Sequence, residues 1–196
     1  MIRWNEFMNA YGITIFSWIF FSSLLALPHY SISSAVLQAI FLLCWSYGGH
    51  VFAHTLSKQF PLNYLNIHVS IHHDHLIKVP RWLNLVLETF INFICFYFLI
   101  ILQSILGIHW LSTSMILGAA FLYIFIHIFD FSLLGNDQHK QHHERTFCNY
   151  DPEFFDTLFG TRCSPDTPYR DLSGEVFHAF SAFIIALFLK HRYHLD

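Results

Sequence analysis

The chain has 196 residues, of which 55% are hydrophobic, 19% aromatic and only 12% charged, with a net charge of −3. There is room for one domain, taken as residues 1–196, but charged residues make up about a quarter of an ordinary soluble domain, so that class is excluded. No nucleic-acid partner is expected.

The placement of the charges decides the class. No Asp, Glu, Lys or Arg lies between Glu6 and Lys58, and none lies between Glu88 and Asp130. At 1.5 Å per residue and a hydrocarbon core of about 30 Å, each gap holds two spanning helices and a short turn. The expectation is an all-α, multi-pass integral membrane protein with four transmembrane helices in two hairpins.

The first hairpin is predicted over residues 7–27 and 35–54, with Pro28 breaking the helix and Ser31, Ser33 and Ser34 supplying turn and N-cap chemistry. Its first run is long for a signal h-region and is followed by Pro28 rather than a small-residue cleavage site, so it is expected to be retained. The second hairpin is predicted over 89–107 and 115–129. Both hairpins return to the side they left, and Arg3, Lys58, Lys78, Arg81, Lys140 and Arg145 flank span ends there. The positive-inside rule makes that side cytoplasmic. Residues 176–189 are too short to cross unaided and precede Lys190 and Arg192, so an interfacial or re-entrant C-terminal helix is expected. The four cysteines form no CxxC pair, and neither a disulfide framework nor a zinc ribbon is expected.

Chemistry is concentrated in the histidines. His139, His142 and His143 stand at i, i+3 and i+4, which on a helix puts three imidazoles near one face of one turn. His50 and His54 stand at i, i+4, and a further cluster comprises His68, His72, His73 and His75. His127 lies near the end of the fourth span. Neutral imidazole is a common ligand of iron and zinc, and this many imidazoles exceed the needs of one tetrahedral zinc, which argues for two metals. Single histidines such as His29 and His109 read instead as interface or hydrogen-bonding residues. Haem would use paired single histidines on facing spans rather than clusters.

His50-x-x-x-His54, His72-His73, His139-x-x-His142-His143, Asn149-Tyr150 and Asp156-x-Leu158-Phe159-Gly160-Thr161 together resemble the fatty acid hydroxylase and sterol desaturase superfamily over about residues 49–161. The resemblance implies a histidine-rich helical cap on the cytoplasmic face, in the bacterial inner membrane or the endoplasmic reticulum. It also implies two iron ions, with zinc possible in isolated protein. The implied activity is that of an oxidoreductase, an O2-dependent hydroxylase or desaturase acting on a fatty acyl or sterol-like lipid. Ligand positions carry over to His50, His54, His72, His73, His139, His142 and His143, and less directly to His127. No catalytic residue beyond the metal centre is implied.

The sequence departs from the pattern in places. Val69 stands where the second motif usually begins with histidine, with His68 and His75 as the nearest substitutes, and Tyr123 stands where a further histidine often falls. Glu88 occupies only a loosely comparable place to an H-P-x-E element. One metal site is therefore expected to have fewer imidazoles, completed by water or by Asp130. Asp156 reads either as a carboxylate accepting a ring N–H from a ligating histidine or as a helix cap, with Gly160 ending that helix. With no dinucleotide fingerprint, electrons would come from a separate ferredoxin or cytochrome b5 type donor. The alternative is a non-enzymatic member of the superfamily with a structural metal site.

Overall fold

The computed structural model describes all residues except 1, 28, 57–65, 67 and 74–77. Helices α1 (Trp4–Ala26), α2 (Ile32–Leu56) and α3 (Arg81–Leu106) are followed by α4 (Thr113–Phe125), α5 (Asp137–Glu144), α6 (Glu153–Phe159) and α7 (Glu175–Tyr193). Two π-helical segments, His68–His73 and Ile126–Leu133, complete the order, and there is no strand among the described residues. The second π segment continues α4 without a break. Four helical stretches, Trp4–Ala26, Ile32–Leu56, Arg81–Leu106 and Thr113–Leu133, are long and apolar enough to cross a membrane. Their outward faces carry Phe16, Phe20, Ile101 and Ile105, the last 76% exposed, a density of bare apolar surface that lipid would cover.

Local chemistry sets the helix ends. Ser31 Oγ accepts the Ser34 N–H at the start of α2, and Ser112 Oγ accepts the Met115 N–H at the start of α4. The end of α3 passes into Gly107 at φ +66°, a conformation only glycine adopts without strain.

The chain forms two compact units. The first comprises Met1–Cys44, Phe93–Ile126 and Pro168–Asp196, and the second Trp45–Asn92 and His127–Thr167. In the first, α1, α4 and α7 pack on one another. Small residues permit this: Ala179, Ala182 and Ala186 line the buried face of α7, and a Cβ on Gly118 of α4 would come within 2.7 Å of Leu25 Cδ1 and 3.5 Å of Ala186 Cβ.

The C-terminal helix, expected to be interfacial or re-entrant, is not among the four stretches long and apolar enough to cross a membrane, and it packs against α1. Its N-terminal approach is fixed where the Leu172 N–H donates to Ala10 O (3.1 Å) and Thr14 Oγ1 donates to Leu172 O (2.7 Å). Its far end is fixed where Lys190 Nζ donates to the carbonyls of Leu25 and Leu27. It thus lies lengthwise along α1. Backbone carbonyls satisfy that ammonium, and the full 19 residues rise about 28 Å.

The same end of this unit is closed by polar side chains. Asp196 Oδ1 accepts the Thr113 N–H (2.9 Å), Gln38 Oε1 accepts the Ser112 N–H (2.8 Å), and Gln103 pairs in both senses with the Leu111 backbone. Tyr30 Oη donates to His109 O at 3.2 Å, which joins the two turns and gives His109 a backbone role.

Candidate metal centre

Every histidine of the candidate site belongs to the second unit. The last turns of α2 present His50 and His54, the first π segment presents His68, His72 and His73, the second presents His127, and α5 presents His139, His142 and His143. All are buried except His143, which is half-buried. The Asn136 side chain starts α5 by accepting the Gln138 N–H at 2.8 Å.

The first π segment explains how the unusual second motif works. With i→i+5 bonding, residues four and five apart share a face, so His68 meets His73, Nε2 to Nε2 at 3.2 Å. His68 thereby joins His73 in the cluster, and Val69 is buried. His75 lies outside the described residues.

The ring nitrogens converge. His50 Nε2 lies 3.1 Å from His68 Nε2, and His54 Nε2 lies 3.0 Å from His142 Nε2. His72, His139 and His143 form a triangle of Nε2 atoms with sides of 3.3, 3.0 and 3.0 Å. Three overlapping sets each keep all their ligand atoms within 4.8 Å: His50, His54, His68, His73 and His142; His72, His127 and His139; and His72, His73 and His143. Metal–nitrogen bonds of about 2.0–2.1 Å place neighbouring imidazole nitrogens about 3.0–3.4 Å apart, so these spacings fit a shared cation. Hydrogen bonds satisfy such a triangle only in part, because a neutral imidazole has a single N–H.

Burial also keeps the rings neutral. Desolvation holds His68, His72, His73 and His139 well below the ordinary histidine value, reinforced by neighbouring imidazoles. It lowers His142 to about 3. Near neutral pH these rings offer lone pairs rather than charge. His142 donates from Nδ1 to Cys148 O at 2.6 Å, which fixes its tautomer and leaves Nε2 facing His54.

The loop carrying Cys148 is built around Asp156, where the structure revises one expectation. Among the described residues, Asp156 accepts no histidine ring N–H. Its carboxylate accepts the backbone N–H groups of Tyr150 (2.9 Å) and Asp151 (2.8 Å) and the Thr161 hydroxyl, which in turn receives the Tyr47 hydroxyl. Burial raises Asp156 to about 6, against the pull of these donors. Gly160 ends α6 at φ +71°, as expected. Asp156 therefore acts on the site through the loop, one step removed from the histidine. The reason is chain order: the turn at Asn149 and Asp151, both at φ +54°, brings backbone donors to the carboxylate before any ring can reach it.

A second correction concerns the cysteines. Cys148 and Cys163 are joined by a disulfide across this loop, although their separation of 15 matches no redox or zinc motif. The third concerns the acid beside the site. Asp130 and Glu88 both stand outside the three histidine sets, and it is Glu88 whose Oε1 lies 2.9 Å from His127 Nε2 and 3.6 Å from His72 Nδ1. The signal for Glu88 was its position as the one acid of α3. His29, His109, His178, His191 and His194 belong to none of the sets.

No protein-family model, curated protein or solved structure matches this chain. The class supported directly is an all-helical protein with four helices able to span a membrane and buried histidine clusters able to hold metal.

Proposed function

We propose that the chain is a membrane-bound oxygenase of the fatty acid hydroxylase and sterol desaturase kind, its histidines binding two iron ions. The observation that carries this reading is the convergence of nine histidines from four separate segments, eight of them with a ring nitrogen 3.0–3.3 Å from another's. Iron held there would supply activation of O2 and oxidation of a lipid C–H bond to an alcohol or an alkene. The five-histidine set and the His72–His127–His139 set, with His143 beside His72 and His139, would be the two halves of the centre. His142, oriented by Cys148 O, holds its lone pair inward, and burial excludes water and protons from the nitrogens. The neutral ligands leave the centre net positive, which favours anionic oxygen species.

Substrate and partners follow from the same reading. A fatty acyl or sterol-like chain would lie among the Phe, Leu and Ile side chains of the spans. A ferredoxin or cytochrome b5 type donor would supply the two electrons needed per turnover. The two helical hairpins, with the histidine cap on the cytoplasmic face, are supported by the cations at span ends. After reduction of the disulfide, labelling of Cys148 and Cys163 by an impermeant maleimide from the cytoplasmic side is expected. Labelling only from the other face would relocate the centre.

The test of function supplies labelled O2, iron-loaded protein, a lipid extract and an electron donor with its reductase. Label in a lipid hydroxyl supports hydroxylation, and a new double bond without label supports desaturation. Neither product, together with one closed metal site per chain, would replace this reading with a structural metal protein.

A further inference from the structure

Glu88 is the one acid of α3, a helix long and apolar enough to cross a membrane, and its side chain is 2% exposed. A carboxylate withdrawn from water is costly unless something answers its charge, and an ionisable residue kept in such a helix points to function. Its surroundings meet on one oxygen. Ser132 Oγ donates to Oε1 at 2.9 Å, His127 Nε2 lies 2.9 Å from the same atom, and His72 Nδ1 lies at 3.6 Å. Ser132 is itself tied to the start of α3, where the Arg81 guanidinium donates to its carbonyl at 3.4 Å.

The ring contacts place protons. At 2.9 Å a ring nitrogen and a carboxyl oxygen repel if both present lone pairs, so one of them carries hydrogen. Oε1 already accepts the Ser132 hydroxyl, which suits a carboxylate and puts the hydrogen on His127 Nε2, leaving Nδ1 with the lone pair. His72 is turned the opposite way: Nε2 faces His139 and His143 at 3.3 and 3.0 Å, and Nδ1 is on the Glu88 side. An imidazole that gives one nitrogen to a metal keeps its hydrogen on the other, and in a buried site that N–H needs an acceptor.

We propose that Glu88 is a positioning residue outside the ligand shell: its carboxylate takes the Nε2–H of His127 and faces the Nδ1–H of His72, so that His127 offers Nδ1 and His72 offers Nε2 to a metal. The inference rests on the metal-centre reading above. A carboxylate behind a ligating ring fixes the ring's orientation and makes it a stronger donor, so one acid serves two members of the His72–His127–His139 set.

The test uses full-length protein carrying isotopically labelled histidine, stripped of metal, observed by NMR and then titrated with Zn2+ with bound metal counted per chain. Metal-free wild type is expected to show a His127 ring proton on Nε2, assigned by its loss in His127→Ala and shifted downfield by the carboxylate. Glu88→Ala should remove that shift, and Glu88→Gln, which keeps an acceptor oxygen without the charge, should restore part of it; a merely structural role would not grade in this way. Wild type is expected to bind two zinc ions. Glu88→Ala should still bind two, one of them about 10–100-fold more weakly, with Glu88→Gln between. A His127 proton on Nδ1, a resonance unmoved by Glu88→Ala, or unchanged zinc affinity in that variant would each overturn the proposal. Should Glu88→Ala fail to fold, the proton assignment in wild type decides alone. Wild type that shows the Nε2 proton but binds no zinc overturns the metal centre itself and leaves the Glu88–His127 contact standing, so the two failures are distinct.

Discussion

The two units spend their polar groups in opposite ways. In the first, buried polar atoms close on one another at many places, Ser23 Oγ excepted: Gln38 on Ser112, Gln103 on Leu111, Thr14 on Leu172, and Lys190 on the carbonyls of Leu25 and Leu27. In the second, the ring nitrogens Nδ1 of His72, His73 and His139, together with Glu88 Oε2 and Asn92 Nδ2, have no hydrogen-bond partner among the described residues. Satisfied polar groups in an apolar bundle specify and stabilise it, whereas unsatisfied ones crowded together are retained for a ligand. The first unit is a scaffold by this criterion and the second a site.

The largest effect expected to break the comparison comes from removing one inward nitrogen. His142→Ala or His139→Ala should abolish metal binding at its own set and any oxygenase turnover, while His109→Ala, whose position lies in the scaffold, should change neither. Elemental analysis per chain reads this directly. Equal metal loss from His109→Ala would erase the distinction between the units.

Acid should separate the units next. A histidine held below its ordinary value of 6.5 is neutral in the folded chain and protonated in the unfolded one once the pH falls past 6.5. The unfolded state then binds more protons, so stability is full above pH 6.5 and declines as pH drops, by about 1.4 kcal/mol per pH unit for each such ring. Five rings outside the spans shift this way. Asp156 runs oppositely: raised to about 6, it regains stability as the pH falls from 6 toward 4. Five terms outweigh one. Hydrogen exchange should show residues 127–167 opening and metal leaving below about pH 6, while α1, α4 and α7 stay protected.

The disulfide gives a smaller and more local effect. Closing a loop of sequence separation 15 stabilises by about 3 kcal/mol. Cys163→Ser should raise exchange at residues 148–163 and weaken metal binding in the His142 set, because the carbonyl of Cys148 orients His142. The scaffold has its counterpart in Gly118→Leu, where Leu25 and Ala186 leave no room. Overpacking there should cost about 1–3 kcal/mol in thermal or denaturant unfolding and leave metal stoichiometry unchanged.

What the sequence disclosed, and what it hid, follows the same division. The four spans were legible because lipid forbids charge over a fixed length, and the two gaps around Glu6–Lys58 and Glu88–Asp130 are that prohibition written out. His50, His54, His139, His142 and His143 were legible because helical spacing alone puts them together. His68 was not secure, since its partnership depends on a π segment that adds one residue to the motif. Glu88, the Cys148–Cys163 pair and the backbone role of Asp156 depend on contacts across the fold, for which no local spacing rule exists.

The smallest expected effect concerns the outside of the site. On α5 the ligands face inward while Lys140 points away, its side chain 64% exposed and paired only with Asp137 at 3.1 Å. An exposed pair of this kind contributes little to stability, so Lys140 is free to serve recognition. Small electron carriers are commonly acidic, and complementary charge speeds encounter more than it tightens binding. Reversing Lys140 and Arg145 to Glu should therefore slow donor-dependent turnover several-fold and flatten its dependence on salt, with two metals per chain retained. The geometry of α5 makes the experiment clean, because neither side chain belongs to the histidine sets. Unchanged salt dependence would place the donor elsewhere on the protein, whereas loss of metal would show that the outer face of α5 is not independent of its inner one.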